Sequence, residues 1–307
     1  MTYSATSLDQ HFVDVRPEQL PHYEECKCPI CDISENIVYA RVDKQAVVRC
    51  TQCGLLYVTP RVRDVDRVGY YETEYIADED KIQNRFGSHR EAALIYIAKV
   101  IVDSKSSGKI LDIGCAGGTF LKHLSDQQWQ RSGVELSKTA ANYARNKYNI
   151  DVYQGELFEA NYADSAFDVV SVLDTLMIVP NPVGVLIEVR RILQEDGLLV
   201  VELPGYTFRR IKTMGIVPRL LKGQSVATNL SEFLYFFSDQ TTTQLLKKSG
   251  FELKKIVLVP PLFYGGVVRR MLYKLYFLLV RLIYTLTSGR INLSTKVLYL
   301  ASKSASA

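Results

Sequence analysis

Four cysteines stand at Cys28-x-x-Cys31 and Cys50-x-x-Cys53, with 18 residues between the pairs. Each pair closes a tight turn, and two such turns can bring four thiolates round one tetrahedral Zn²⁺. Five of the six cysteines fall between Cys26 and Cys53 and Cys115 stands apart, so the cluster does not read as a disulfide framework. Four thiolates close the coordination sphere and leave no position for a reactive water, so the expected role is structural. A module of this size depends on its metal to fold. Cys26 is a spare thiol that could replace Cys28 or Cys31 as a ligand. Lys27, Arg41, Lys44 and Arg49 are the basic residues of this stretch, and they form no cluster, so nucleic acid is not the expected partner.

A second constellation begins at Lys109-Ile-Leu-Asp-Ile-Gly-Cys-Ala-Gly-Gly-Thr-Phe120, which reads as a buried strand, a glycine turn and then a helix. Ser132-Gly-Val-Glu135 ends a second strand in an acid, 21 residues beyond Gly114. An acid there is placed to accept hydrogen bonds from ribose hydroxyls. A dinucleotide fingerprint begun at Gly114 would need glycines where Ala116 and Thr119 stand, so NAD is not the expected ligand. The pattern present, Asp112 followed by Gly114, Gly117 and Gly118, resembles that of class I S-adenosylmethionine-dependent methyltransferases. That cofactor carries no pyrophosphate, and the turn has only to let backbone approach it. Cys115, inside the turn, is expected to pack as a small residue.

The elements that must hold these residues alternate. Strands are expected over 167–174 and 197–204, with a helix over 182–193 opened by proline, and the last two strands over 251–259 and 296–301. Residues 36–48 read as a hairpin within the cysteine module. The expected fold is α/β: a doubly wound, mostly parallel, seven-stranded Rossmann-like sheet with an N-terminal zinc ribbon, the ligand lying at the carboxyl ends of the strands. Residues 1–25 form an N-terminal extension, 26–60 the ribbon, 61–104 a helical linker and 105–307 the nucleoside-binding domain, with insertions at 205–230 and 262–292.

Cys50-Thr-Gln-Cys-Gly-Leu-Leu-Tyr-Val-Thr-Pro60 with Tyr70, Tyr71 and Tyr75, then Leu111-Asp-Ile-Gly, Gly133-Val-Glu-Leu-Ser137, Phe167-Asp-Val-Val170 and Gly197-Leu-Leu-Val-Val-Glu-Leu-Pro204, resemble bacterial zinc-ribbon methyltransferases in order. The resemblance covers about residues 26–259 and implies S-adenosylmethionine and structural zinc as cofactors. It also implies a sugar acceptor, free or linked to a nucleotide or lipid carrier, in a polysaccharide or secondary-metabolite pathway. Carried onto this chain, the cofactor-binding set is Asp112, Gly114, Cys115, Ala116, Gly118, Glu135, Leu136, Glu156 and Leu173, and the metal set is Cys28, Cys31, Cys50 and Cys53. Two positions depart from the family pattern. Met177-Ile178-Val179 replaces Glu-His-Val, and Phe233 stands where a histidine is frequent. All four histidines, His11, His22, His89 and His123, precede the second strand.

A sulfonium methyl is already activated, so alignment and exclusion of water supply most of the catalysis, and a base is needed only for a protonated acceptor. Asp174, after the fourth strand, is the first candidate base, followed by Tyr206 and Glu232; a capping role is the alternative for Asp174. Two rival functions remain: an RNA or protein methyltransferase whose ribbon grips its target, and a cofactor-binding scaffold without activity.

Composition excludes disorder and low-complexity repeats, with 47% hydrophobic and 23% charged residues. Charge is segregated. Residues 1–204 carry 21 Lys and Arg against 30 Asp and Glu, a net −9, and residues 205–307 carry 16 against 3, a net +13. Such a field suits an anionic substrate or surface. Arg209, Arg210, Lys212, Arg219 and Lys222 fall in the first insertion, where a lid over the acceptor would lie. Over 267–286, apolar residues at 268, 271, 272, 275, 279, 282 and 286 follow helical spacing, with Arg270, Lys274 and Arg281 within about 40° of one another. Packing over the sheet or against a second protomer is expected of this helix, with peripheral contact to a membrane as the alternative. No basic-then-apolar leader opens the chain, so the expected compartment is the cytoplasm, with peripheral contact to the inner face of the membrane as the alternative.

Overall fold

The computed structural model describes residues 22–42, 44–64, 66, 90–214, 233–261 and 266–305. A seven-stranded sheet is built from β6 (Gly108–Ile113), β7 (Trp129–Glu135), β8 (Asp151–Gln154), β9 (Phe167–Leu173), β10 (Leu193–Pro204), β12 (Phe251–Val259) and β13 (Lys296–Lys303). Its order is β12-β13-β10-β9-β6-β7-β8. β13 is antiparallel to both neighbours, and the five strands from β10 to β8 run parallel. Helices cover both faces, so the central strands carry apolar residues in succession: Ile110 and Leu111, Val169 and Val170, and Leu199, Val200 and Val201 are all fully buried.

α1 (Glu91–Ser104) lays Leu94, Ile97 and Ile101 on one face, in a core shared with Trp129. α2 (Lys138–Tyr148) follows β7 and is capped by Ser137, whose hydroxyl accepts from the Ala140 amide. α3 (Pro182–Ile192) starts with proline after the Asn181 cap, as its sequence requires, and packs on the opposite face with α5 (Asp239–Lys248). The chain moves outward from β6 to β8 and then returns to β9. This reversal opens a crevice at the carboxyl ends of β6 and β9.

The cysteine module holds β2 (Asn36–Val42), β3 (Gln45–Cys50) and β4 (Leu56–Val58), and it is not closed at residue 60. β11 (Tyr235–Phe236), from the far end of the chain, adds a fourth strand by pairing with β4. β1 (Tyr23–Glu24), inside the expected extension, pairs with β5 (Arg61–Val62). Arg61 Nη1 donates to the Tyr235 hydroxyl and the Pro180 carbonyl at 3.1 and 3.2 Å. Leu55 and Tyr57 belong to the same core as Met177 and Leu234.

Three local expectations change. No α-helix follows the glycine turn; a 3₁₀ turn, Leu121–His123, takes its place. Gly117 and Gly118 before it and Ser125 and Asp126 after it are poor helix formers, leaving too few residues for a stable helix. β10 starts four residues early, directly from α3, and β13 runs two residues longer. α4 (Tyr206–Met214) opens the first insertion. α6 (Val267–Leu286) spans the expected residues, but its apolar stripe does not pack over the sheet, because Val280 is its one buried residue. Among the described residues no helix is long and apolar enough to cross a membrane.

Leu199 lies between β9 and β13 with no exposure. Leu199→Ala is expected to cost about 2–5 kcal/mol in urea unfolding. Leu278→Ala, on the open side of α6, should change stability by less than about 0.5 kcal/mol.

Candidate active site

β6 delivers Asp112 to the crevice and then turns sharply. Gly114 has φ +73°, and a Cβ there would lie 2.4 Å from the Thr175 hydroxyl oxygen; Gly118 has φ +71° and lies against Ile150. Each position thus needs glycine for both conformation and space. Ala116 adopts φ +48° with a side chain, and its amide donates to Glu135 Oε2 at 2.9 Å. The Ser137 amide donates to Glu135 Oε1 at 2.8 Å. One carboxylate at the tip of β7 therefore clamps the glycine turn to the start of α2. Each of its oxygens keeps a second lone pair. Burial pushes the Glu135 carboxyl up, opposed by those amides.

The Asp112 carboxylate is buried and accepts from Ser171 Oγ at 2.6 Å. Burial pushes its carboxyl up to about 7, against the pull of Ser171 and Arg90. Cys115 packs as expected of a small residue: a Cβ at Gly133 would lie 2.4 Å from its sulfur.

Beyond Asp112 lies a buried ionic cluster. Arg90 Nη1 stands 3.0 Å from Asp174 Oδ2, and Arg90 Nη2 donates to Glu202 Oε2. Lys296, first residue of β13, donates from Nζ to Asp174 Oδ2 and lies 4.0 Å from Glu202 Oε2. Burial would raise both carboxyls. The Lys296 and Arg90 cations overcome it at Asp174, which is held below the usual range, whereas Glu202 stays above it. Asp174 has φ +55°. Among the described residues its Oδ1 and Glu202 Oε1 are buried without a hydrogen-bond partner, a state that costs energy until a donor arrives.

A cavity of about 440 Å³ joins these parts at the carboxyl ends of the strands. Asp112, Gly114, Cys115, Ala116, Glu135, Leu136, Glu156, Leu173 and Asp174 all line it. Gly118 shapes the turn without reaching the cavity wall. Glu156 lines the cavity, and its amide donates to Glu159 Oε2 at 2.9 Å where the 3₁₀ turn Leu157–Ala160 begins. Tyr206 stands elsewhere, in a small cleft with Arg209 and Arg210, because α4 carries it away from the cavity. Glu232, with Lys212's side chain, Arg219 and Lys222, lies outside the described residues. The far wall is apolar: Met177, Ile178, Val179, Pro180 and Phe233. Asp174 was expected as a base. Its two cations make it a poor one, and its carboxylate is fixed in place instead. Arg90, Glu202 and Lys296 escaped sequence reasoning. An acid within an apolar strand could have flagged Glu202, but Arg90 and Lys296 belong to no motif.

In the cysteine module, Cys28, Cys31, Cys50 and Cys53 place their sulfurs within 4.8 Å of one another, and Cys28 and Cys53 are 3.5 Å apart. All are free thiols. Tetrahedral zinc with Zn–S near 2.3 Å requires sulfurs about 3.8 Å apart, so the cluster fits that ion. Two matched turns build it. Asp32 (φ +58°) donates to the Cys28 carbonyl and Gly54 (φ +79°) to the Cys50 carbonyl. Cys26 lies outside the cluster and points its thiol at the Glu24 carbonyl, 3.7 Å away.

A family model described as methyltransferase domain matches residues 86–256. The ubiquinone biosynthesis O-methyltransferase of Glaesserella parasuis serovar 5 (strain SH0165) is 26% identical over 171 residues, covering 51% of this chain and 72% of that protein. The protein of the same name from Azoarcus sp. (strain BH72) is 36% identical over 81 residues, covering 24% of this chain and 34% of that protein. A chain from the solved complex containing the Haloferax volcanii Trm112 methyltransferase activator superimposes with a TM-score of 0.55 at 13% identity, covering 77% of this chain and 99% of that one, a likeness of fold.

The Asp112 carboxyl titrates near 7 in the folded chain and near 3.8 when unfolded. Between those values the folded state holds a proton that the unfolded state has lost, so this group's contribution to stability falls as pH rises. Asp112→Asn removes the effect. It should be more stable than the parent by on the order of 1–4 kcal/mol at about pH 8, with the gain fading towards about pH 4, in urea unfolding at both pH values.

Proposed function

The chain belongs to the methyltransferase-domain family and is an S-adenosylmethionine-dependent methyltransferase, and we propose that it methylates a hydroxyl on an acceptor with an apolar ring. The observation that carries this reading is the two-ended cavity, acidic at β6 and β7 and apolar beyond Asp174. S-adenosylmethionine fits the acidic end. Its sulfonium and ammonium charges suit Asp112 and Glu135, and the spare lone pairs of Glu135 suit a ribose diol. A pyrophosphate would meet the same carboxylates, with the Ala116 amide already taken by Glu135.

When bound, the cofactor supplies an electrophilic methyl group. The chain's residues then have to align the acceptor and receive its proton. No histidine among the described residues lines the cavity. Asp174 Oδ2 is held by Lys296 and Arg90, and Oδ1, buried and unpartnered, accepts the hydrogen bond from the acceptor hydroxyl. So weak a base suits a hydroxyl that ionises readily, and a phenol, near 10, does so more readily than a sugar alcohol. The apolar wall of Met177, Ile178 and Phe233 supports the same choice, as does the O-methyltransferase name of both relatives.

A second reading keeps a sugar on an anionic carrier. Arg209 lies 3.6 Å over the ring of Phe233, which lines the cavity, and its guanidinium suits a phosphate. The cysteine cluster holds one structural Zn²⁺ in this proposal, clamping the two turns that support β3 and β4.

Calorimetry is expected to show binding of S-adenosylmethionine and none of NAD, with Glu135→Ala weakening the former by at least about tenfold. Methyl transfer to a simple phenol series should then exceed transfer to nucleotide sugars, and the reverse order would favour the second reading. For the metal, mass spectrometry of the intact chain should show one zinc, absent in Cys50→Ser. Chelation should lower the Tm by several degrees or more, roughly in step with a loss of 1 kcal/mol or greater.

A further inference from the structure

We propose that α6 docks the protein onto an anionic bilayer, with its apolar side in the interface and its cations at the lipid phosphates. The helix has three sides. One faces the protein, where Val280 is buried and the Tyr276 hydroxyl donates to the Leu293 carbonyl at 2.6 Å. The opposite side is open. Met271, Leu272, Leu275, Leu278, Leu279 and Leu282 are between 49% and 64% exposed, and they fall within one arc of about 120° at helical spacing. Along one margin stand three exposed cations, Arg270, Lys274 and Arg281; Arg269, also exposed, lies on the side of Tyr273, to whose hydroxyl it donates.

A soluble chain seldom leaves so many leucines open on one helix. Charge complementarity identifies what covers them. α6 contains no acidic residue, so a second copy of the helix would give its four cations no partner. A bilayer with anionic headgroups offers both an apolar layer for the leucines and phosphates for the flanking cations. Long basic side chains reach up to the phosphates while their stems lie along the apolar boundary. The helix lies on the membrane and does not cross it, since it does not qualify as a span.

Placement within the fold gives this contact a use. Val259, the last residue of β12, pairs with Lys296, the first of β13, so the chain leaves the sheet for α6 and returns from it at the end of the sheet on which the cavity lies. Lys296, the first residue after the return, is ion-paired with Asp174 in the cavity wall. The docked helix therefore holds this end of the sheet beside the headgroups, where an apolar acceptor partitions. That consequence rests on the proposed acceptor, whereas the docking itself stands on α6 alone.

The test is sedimentation of the full chain with vesicles of phosphatidylcholine, with and without phosphatidylglycerol. Binding to the anionic vesicles is expected, weaker by about tenfold or more without phosphatidylglycerol. Leu275→Asp with Leu279→Asp should abolish it, and Leu275→Ala with Leu279→Ala should weaken it. Arg270→Glu with Lys274→Glu and Arg281→Glu should remove the preference for anionic lipid. All variants should bind S-adenosylmethionine in calorimetry as the parent does, which separates this inference from the cofactor reading. Equal vesicle binding by the parent and the Leu275→Asp, Leu279→Asp variant would overturn the proposal. So would a parent that ignores vesicles but sediments as a dimer that the same variant splits, since the face would then join two copies.

Discussion

Arg90 sits between two carboxylates that could not otherwise be buried together. Taking a carboxylate out of water costs several kcal/mol, and Glu202 is fully buried beside Asp174. Arg90 compensates both, and Lys296 adds the second cation. The four residues come from separate elements: the turn before α1, the residue after β9, the carboxyl end of β10 and the start of β13. Their pairing thus sets where α1 begins against the sheet and how the antiparallel strand meets its parallel neighbour. Among the described residues it also leaves one oxygen each of Asp174 and Glu202 without a donor, and Asp174 brings that unmet demand to a residue of the crevice wall.

The other end of the crevice follows from a different constraint. A non-glycine residue in a left-handed conformation is strained, and Ala116 holds it because Glu135 takes its amide. Glu135 in turn is kept in place by the amide that opens α2. Turn, strand tip and helix start are therefore one hydrogen-bonded unit, and the cavity beside it is acidic at Asp112 and Glu135 and apolar at Met177, Ile178 and Phe233.

The cysteine module is joined to this core rather than hung from it. β11 completes its sheet from a segment more than 170 residues away in sequence, and Arg61 bonds to both Tyr235 and Pro180. Cys28, Cys50 and Cys53 are themselves part of the main core, together with Val48 and Tyr57 of the strands they support. The basic last third of the chain is put to two uses in the fold: Lys296 pairs with Asp174 behind the crevice wall, and the cations of α6 remain on the surface.

Local chemistry was readable along the chain. The cysteine pairs, the glycine turn, the acid of β7 and the strand-helix alternation depend on residues close in sequence, and spacing alone prescribes their geometry. Helical periodicity likewise located α6, because 3.6 residues per turn is a local property. What needed the tertiary structure was anything assembled by long loops. Asp174 read as a base until Arg90 and Lys296, 84 residues before it and 122 after, arrived beside it. Tyr206 read as a neighbour of the pocket until α4 carried it into another cleft. The module looked closed at residue 60 until β11 paired with its edge. Sequence determined which groups carry charge, form turns or offer thiols at matched spacing, since those are properties of residues and their neighbours. Which groups neutralise, cover or face one another was decided only by folding, because burial and Coulomb interactions depend on distance in space.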